Sequence, residues 1–124
     1  MSFSEAVKSG FANYANFTGR SSRSAYWWFA LFIFVVELIP YIGLLSATPA
    51  RGEDVSGTYV FWAVLVGVIW LGLILPYLSV TVRRLHDTGR SGWWYFISFV
   101  PCIGFIWLII LLVTPSTPGQ NQYG

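Results

Sequence analysis

The chain has 124 residues, of which 56% are hydrophobic and only 10% are charged, with a formal net charge of +2. A soluble globular domain usually has about 25% charged residues, and so short a soluble fold could not bury this much apolar surface. The composition therefore excludes an ordinary soluble domain and indicates a single integral membrane domain over residues 1–124. The basic residues are too few to form a nucleic-acid-binding surface.

Residues 2–17 are predicted to form an amphipathic helix that lies on a membrane surface. Ser2 followed by Glu5 fits a capping box, which marks a helix start. Apolar side chains then recur at helical spacing and share one face. The residues of this face are Phe3, Val7, Phe11 and Tyr14.

Three apolar runs follow, at residues 25–47, 58–82 and 93–113. Each is long enough for the roughly 20 helical residues that cross a bilayer. Backbone groups in hydrocarbon must bond within their own segment, so the runs predict transmembrane helices. Pro101 and Gly104 predict a kink in the third. We therefore expect an all-α membrane protein with one surface helix and three transmembrane helices in a small bundle.

The positions of the basic residues predict the topology. Six of the seven precede the first run or lie between the second and third runs, and loops rich in Lys and Arg usually stay in the cytoplasm. With three spans, the N-terminus is expected inside and the C-terminus outside. Two tryptophan pairs, Trp27–Trp28 and Trp93–Trp94, follow arginines and suit the headgroup level on the cytoplasmic side.

This cytoplasmic side is the candidate binding face. Arginines near the membrane attract anionic phospholipid headgroups, or a partner that carries phosphate, at roughly 1 kcal/mol each. The candidate residues are Arg20, Arg23, Arg83, Arg84, His86, Asp87 and Arg90. The alternative interpretation is that the arginines only set the orientation of the helices.

Asp87 has a structural interpretation beside the binding one. It follows Arg83 and Arg84 by four and three residues, so it can pair with either arginine if the helix continues. Gly89 then suits a helix end, and Ser91 suits the start of the next helix.

No enzymatic activity is expected. His86 and Asp87 are adjacent, but neighbours in sequence point apart on a helix, whereas general-base catalysis requires the carboxylate to orient the imidazole. One histidine and one cysteine, Cys102, are too few for a metal site. We therefore expect neither a metal nor a cofactor.

Glu37 is the only charged residue within the three runs. It lies roughly 18 Å from the start of the first run, where a charge costs around 2.5–3.5 kcal/mol, and such residues are functional candidates. A channel or transporter that uses Glu37 is therefore the alternative function. It would be a homo-oligomer, because three helices enclose little room. Otherwise, a bend at Pro40 lets Glu37 reach the outer interface or a polar cavity.

Three stretches resemble the YhaH/YhaI-like family of small bacterial inner-membrane proteins, a domain of unknown function. They are FTGRSSRSAYWWFALF at 17–32, SVTVRRLHDTGRSGWWYFI at 79–97 and VPCIGFIWLIILLVTPSTPGQNQYG at 100–124. The string RRLHDTGRSGWW is the most specific part. Family tails resemble G-x-N-R-Y-G, whereas Gln122 stands here in place of the Arg. The resemblance implies a bacterial inner-membrane protein with several spans and no established activity.

Together these observations favour a non-enzymatic structural or binding module of the inner membrane. Its cytoplasmic arginine and tryptophan face would engage anionic phospholipid or a partner.

Overall fold

The computed structural model describes residues 1–124, and every regular element in it is helical. The elements are α1 (Phe3–Ala12), α2 (Arg23–Ser46), α3 (Gly57–Asp87), a 3₁₀ helix (Gly92–Phe99) and α4 (Ile103–Val113). The chain divides into two compact units. The first unit consists of Met1–Ala30 and Leu75–Gly124, and the second consists of Leu31–Ile74.

The helices α2 and α3 are long and apolar enough to cross a membrane. Only 11% and 17% of their most apolar stretches are buried, whereas a core helix of a soluble protein would be mostly buried. They correspond to the first two predicted runs, so helices are confirmed there. Because α3 continues to Asp87, beyond the predicted end at residue 82, the basic residues that follow the apolar run are helical too.

The first helix, α1, starts as predicted but is shorter. The Ser2 hydroxyl oxygen accepts a hydrogen bond from the Glu5 N–H at 3.3 Å and donates to its carboxylate at 2.9 Å, which is a capping interaction. The helix ends at Ala12 rather than at residue 17 because Asn13 leaves helical geometry. The main-chain N–H of Asn13 makes the last helical hydrogen bond, to the Ser9 carbonyl. The Asn13 side-chain amide donates to the same carbonyl, and a side-chain bond of this kind competes with helix continuation.

Small residues allow α1 to pack closely within the first unit. Ala6 and Gly10 are its buried residues, and the fully buried Phe29 ring occupies the space that a Gly10 Cβ would need. On the predicted apolar face, Phe3 and Phe11 remain exposed by about two-fifths. The buried stripe of α1 is therefore made of small residues, and its aromatic side chains flank that stripe.

The second unit contains the C-terminal part of α2, the N-terminal part of α3 and the exposed loop that joins them. The Trp62 ring packs against Gly43, where a Cβ would overlap it. Ser56 caps the start of α3, because its hydroxyl oxygen accepts a hydrogen bond from the Tyr59 N–H at 3.1 Å. Pro40 lies inside α2, which continues beyond it.

The third predicted span is not one continuous helix. Residues 93–113 are divided between the 3₁₀ helix and α4. With 11 residues, α4 is about 16 Å long, whereas the hydrocarbon core is roughly 30 Å thick. Neither piece crosses a bilayer alone.

The break between the two pieces lies at Pro101 and Cys102, where the sequence predicted a kink. Pro101 has no N–H to continue a helix. Cys102 has a φ of 65°, the only positive value among the non-glycine residues. Gly104 then lets the Ile97 carbonyl approach so closely that a Cβ would overlap its oxygen. The backbone therefore reverses direction here, and α4 packs against the 3₁₀ helix.

The 3₁₀ helix and α4 form a hairpin that starts and ends beside the last turn of α3. Before the hairpin, the Arg90 N–H donates to the Leu85 carbonyl at 2.9 Å, and after it the Thr117 N–H donates to the Asp87 carbonyl at 2.8 Å. The Thr117 carbonyl also accepts a hydrogen bond from Arg20 at 2.7 Å. The prediction that the C-terminus lies across the membrane from the N-terminal segment disagrees with these contacts, because hydrogen-bonded groups cannot be separated by a core roughly 30 Å thick.

Because Gly10 of α1 contacts Phe29 closely, alanine at position 10 is predicted to destabilise the protein, although alanine usually stabilises a helix. Gly10→Ala should destabilise the protein by about 1–3 kcal/mol because the new methyl group overlaps a fully buried ring. This overlap outweighs the gain in helix propensity of up to about 1 kcal/mol. Gly67→Ala is the matched control, since nothing lies within 4 Å of its added Cβ. Thermal unfolding in detergent measures both, and equal stability of the two variants would contradict the packing.

Candidate functional site

Asp87, in the last turn of α3, is the centre of a buried polar cluster. Its Oδ1 lies 2.8 Å from Arg20 Nε, and its Oδ2 lies 2.7 Å from Arg84 Nη1. Oδ2 also accepts a hydrogen bond from the Ser116 hydroxyl. Asp87 is only 6% exposed. The carboxylate thus joins three separate segments through charge-assisted bonds, which are stronger than neutral ones.

Arg84 connects Asp87 to the end of α4. Its side chain is fully buried, and its Nε donates to the Leu112 carbonyl at 2.9 Å. Its Nη2 donates to the carbonyl of Thr114, the residue that caps α4. The last carbonyls of a helix have no partner inside it, and a cation is favoured at that end. Arg84 therefore supplies both charge and donors to the C-terminus of α4.

Arg83 donates hydrogen bonds to carbonyls just beyond the end of α1. Its Nη1 donates to the Asn13 carbonyl at 3.1 Å and to the Asn16 carbonyl at 2.5 Å, and its Nε donates to the Ser21 hydroxyl at 3.1 Å. The Ser79 hydroxyl lies 3.2 Å from the same Asn13 carbonyl. Arg83 is 4% exposed. The loop after α1 is thereby attached to α3.

Arg20 lies in the loop between α1 and α2 and binds the tail that follows α4. Its Nη2 donates to the Thr117 carbonyl at 2.7 Å, and its Nη1 donates to the Gly119 carbonyl at 2.7 Å and to the Gly124 main-chain oxygen at 3.1 Å. Together with the ion pair to Asp87, these bonds use all three guanidinium nitrogens. Arg20 thus orders the tail.

His86 contacts both the loop after α1 and the tail. Its Nδ1 donates to the Gly19 carbonyl, an acceptor only, at 3.0 Å. Its ring stacks on Tyr123 with centroids 3.9 Å apart, and its carbonyl accepts a hydrogen bond from the Asn121 amide at 2.9 Å. His86 makes no hydrogen bond to Asp87, whose oxygens are occupied by other groups.

The seven candidate residues therefore separate into two groups. Five of them form the buried cluster: Arg20, Arg83, Arg84, His86 and Asp87. Arg23 is exposed and has no hydrogen-bond partner in the protein. Arg90 is partly exposed, and its side chain makes one long contact, 3.4 Å to the Thr88 carbonyl. Only these last two arginines have guanidinium groups largely available to an outside ligand.

Glu37 belongs to the second unit, whereas the residues of the polar cluster belong to the first. Its Oε1 is the only buried side-chain oxygen or nitrogen without a hydrogen-bond partner. Glu37 lines an open pocket of about 200 Å³ with Phe34, Leu38 and Tyr41. No cation lines this pocket.

The partners in the tail were not predicted from the residues themselves. Ser116 and Thr117 bind Asp87, while Asn121 and Tyr123 bind His86. Turn-forming residues predicted an irregular end, and their local pattern contains no sign of a distant arginine. The one available signal was that Asn121 and Tyr123 lie in a stretch that carries the family resemblance.

Neutralising the Asp87 carboxylate is predicted to lower the stability of the protein strongly. Asp87→Asn should cost about 3–5 kcal/mol because it leaves the Arg20 and Arg84 cations without a counter-charge. Hydrogen exchange at the Thr117 amide should also accelerate as the tail is released. Asp54→Asn, in an exposed loop, is the matched control and should change neither quantity. Slow exchange at Thr117 in Asp87→Asn would show that the tail is held by other contacts.

Comparison with known proteins agrees with the sequence resemblance. The family model described as "Protein of unknown function (DUF805)" matches residues 14–124. The "Inner membrane protein YhaH" of Escherichia coli (strain K12) is 37% identical over 116 residues, and the alignment covers 90% of this chain and 87% of that protein. The "Inner membrane protein YhaI" of the same strain is 36% identical over 124 residues, covering 90% and 86%.

A more distant relative is the "Uncharacterized protein YiiR" of the same strain, which is 27% identical over 135 residues, with 88% of this chain and 84% of that protein covered. No solved structure matches the chain. A family match over most of the chain, with two relatives above 35% identity, identifies the family. The chain belongs to the DUF805 family of proteins of unknown function.

Proposed function

We propose that the protein is a non-enzymatic binding module of the bacterial inner membrane whose cytoplasmic face engages anionic phospholipid headgroups. The observation that carries this proposal is the division of the arginines into two groups. Of the five arginines among the candidate residues, three donate to the protein's own carbonyls or carboxylate, whereas Arg23 and Arg90 remain available. The names of two relatives, which are inner membrane proteins, support the location.

The aromatic neighbours of the two available arginines support a membrane ligand. Trp27 and Trp28 are exposed on α2 shortly after Arg23, and Trp93, which is 78% exposed, follows Arg90 closely. Tryptophan rings favour the headgroup level of a bilayer. Arginine at that level is attracted to anionic lipid by roughly 1 kcal/mol per charge. Each of the two arginines thus lies near tryptophan rings that favour the membrane interface, and each carries a charge that a phosphate group can neutralise.

The proposed topology has two crossings, made by α2 and α3, and both ends of the chain in the cytoplasm. The hairpin of the 3₁₀ helix and α4 then inserts from the cytoplasmic side and returns to it. Its tip residues Phe99 and Ile103 are highly exposed apolar side chains, which suits immersion in hydrocarbon. The N–H groups of Val100, Ile103 and Gly104 donate to carbonyls within the turn, which reduces the cost of placing its backbone in hydrocarbon.

Lipid retention tests the proposal. In Arg23→Gln/Arg90→Gln, phosphatidylglycerol retained by the detergent-extracted protein should fall about tenfold or more, because two charges near the headgroups are lost. Native mass spectrometry measures the bound lipid. Arg51→Gln, in the exposed loop of the second unit, is the matched control and should retain lipid as the unmodified protein does.

Phosphatidylcholine retention should not change in the double variant, because a zwitterionic headgroup carries no net charge. If the double variant keeps phosphatidylglycerol at the control level, the two arginines act only in orientation. That result would reject the lipid-binding function.

An alternative function rests on Glu37. A buried carboxyl oxygen without a partner is costly in an apolar environment, and a second copy of the chain could supply the missing donor or enclose a path. The alternative is therefore a small homo-oligomeric channel or transporter in which Glu37 lies on the permeation path.

Flux in liposomes tests this alternative. Glu37→Gln should change proton or cation flux, or its dependence on pH, because it removes the only carboxyl group of the span. Glu53→Gln, which alters an exposed carboxylate in the loop, is the control. Equal flux from Glu37→Gln, Glu53→Gln and the unmodified protein would eliminate permeation through Glu37.

A further inference from the structure

A polar pocket lies between the end of α1, the following loop and the first turn of α2, all within the first unit. Its volume is about 380 Å³, within the range of roughly 300–1,000 Å³ that is typical of small-molecule sites. No acidic residue lines it. Its polar lining includes Ser9, Asn16, Thr18, Arg20, Ser22 and Arg83. Hydroxyl, amide and guanidinium donors thus surround a space without a negative charge.

The buried Arg83 is the strongest sign of a ligand. Its Nε and Nη1 donate to protein oxygens, but its Nη2 donates to none. The only buried side-chain nitrogen or oxygen without a partner is Glu37 Oε1, so the unpaired Arg83 Nη2 is not fully enclosed. The side chain as a whole is 4% exposed, and it lines this pocket. A buried cation with an unused donor favours an anion as its missing partner.

The start of α2 provides an independent attraction for an anion. Ser22 and Ala25 line the pocket, and the Ser22 hydroxyl oxygen accepts a hydrogen bond from the Ala25 N–H at 3.2 Å. Ser22 thus occupies one of the first N–H groups of α2, but the dipole of this 24-residue helix still places partial positive charge at its start. Partial positive charge at helix starts favours phosphate. The exposed Arg23 adds a full charge to the same turn.

We infer that this pocket binds a phosphate group, with Arg83 as its buried donor and the first turn of α2 as its second contact. The inference rests on the proposed function for the source of that group, which is the headgroup of an anionic phospholipid. Free phosphate has the same chemistry, so the experiment includes both. A guanidinium group suits phosphate because its N–H donors match the phosphate oxygens.

The test uses the full chain in a neutral detergent and measures binding by calorimetry. The two ligands are inorganic phosphate and short-chain dihexanoyl-phosphatidylglycerol. Ser9→Glu places a carboxylate in the pocket but leaves the hydrogen bonds of Arg83 intact, whereas Arg83→Gln would also release the loop after α1. Ser4→Glu is the matched control, because it adds the same charge to α1 outside the pocket. Thermal unfolding checks that both variants are folded.

The expected result is that Ser9→Glu weakens binding by about tenfold or more, whereas Ser4→Glu changes it by less than about twofold. If both ligands bind the unmodified protein, the site recognises phosphate itself. If only the phosphatidylglycerol binds, the lipid headgroup is the source. Either pattern supports the inference when Ser9→Glu removes the binding.

Two results would overturn the inference: the unmodified protein binds neither ligand, or a folded Ser9→Glu binds as tightly as Ser4→Glu. The single variant Arg90→Gln, which leaves Arg23 and the pocket unchanged, separates this failure from that of the proposed function. If Arg90→Gln loses lipid while Ser9→Glu keeps it, the exposed face binds lipid and the pocket does not. If Ser9→Glu loses lipid and Arg90→Gln keeps it, the pocket binds and the exposed face does not.

Discussion

The arrangement of the first unit depends on one buried carboxylate. Asp87 bonds to Arg20 from the loop after α1, to Arg84 from its own helix and to Ser116 from the tail. Removing charges from water is expensive, and a buried ion pair is retained only where further hydrogen bonds satisfy its remaining donors. Here Arg20 and Arg84 also donate to main-chain carbonyls. The ion pairs thus determine where three separate segments meet.

The two buried arginines of α3 complete the ends of other helices. Arg83 binds carbonyls beyond the end of α1, and Arg84 binds carbonyls at the end of α4. Such carbonyls lack partners in any helix, and in a chain with few polar side chains they need donors from elsewhere. A basic motif in a membrane protein is therefore not by itself a ligand site. What remains for a ligand is Arg23, Arg90 and one side of Arg83.

The same contacts change the interpretation of the last apolar run. Length and hydropathy alone indicate a third crossing, but the hydrogen bonds of Arg90 and Thr117 bring both ends of the run to the last turn of α3. A hairpin that begins and ends at one place needs no crossing. Its apolar exposed tip, the local hydrogen bonds of its turn and the polar cluster at its base support our proposal that this segment dips into one leaflet.

The sequence by itself determined the features that depend on local spacing and on composition. These include the helical class, the approximate positions of α2 and α3, the cap of α1 by Ser2 and the expectation that Asp87 pairs with Arg83 or Arg84, of which the structure selects Arg84. They follow because a backbone in hydrocarbon must satisfy itself and because helix periodicity brings such neighbours together. Only the tertiary structure decided that the last apolar run turns back and that Arg20 pairs with Asp87 together with Arg84. Its contacts join residues between 28 and 104 positions apart, and no local pattern specifies which distant carbonyl meets which guanidinium group.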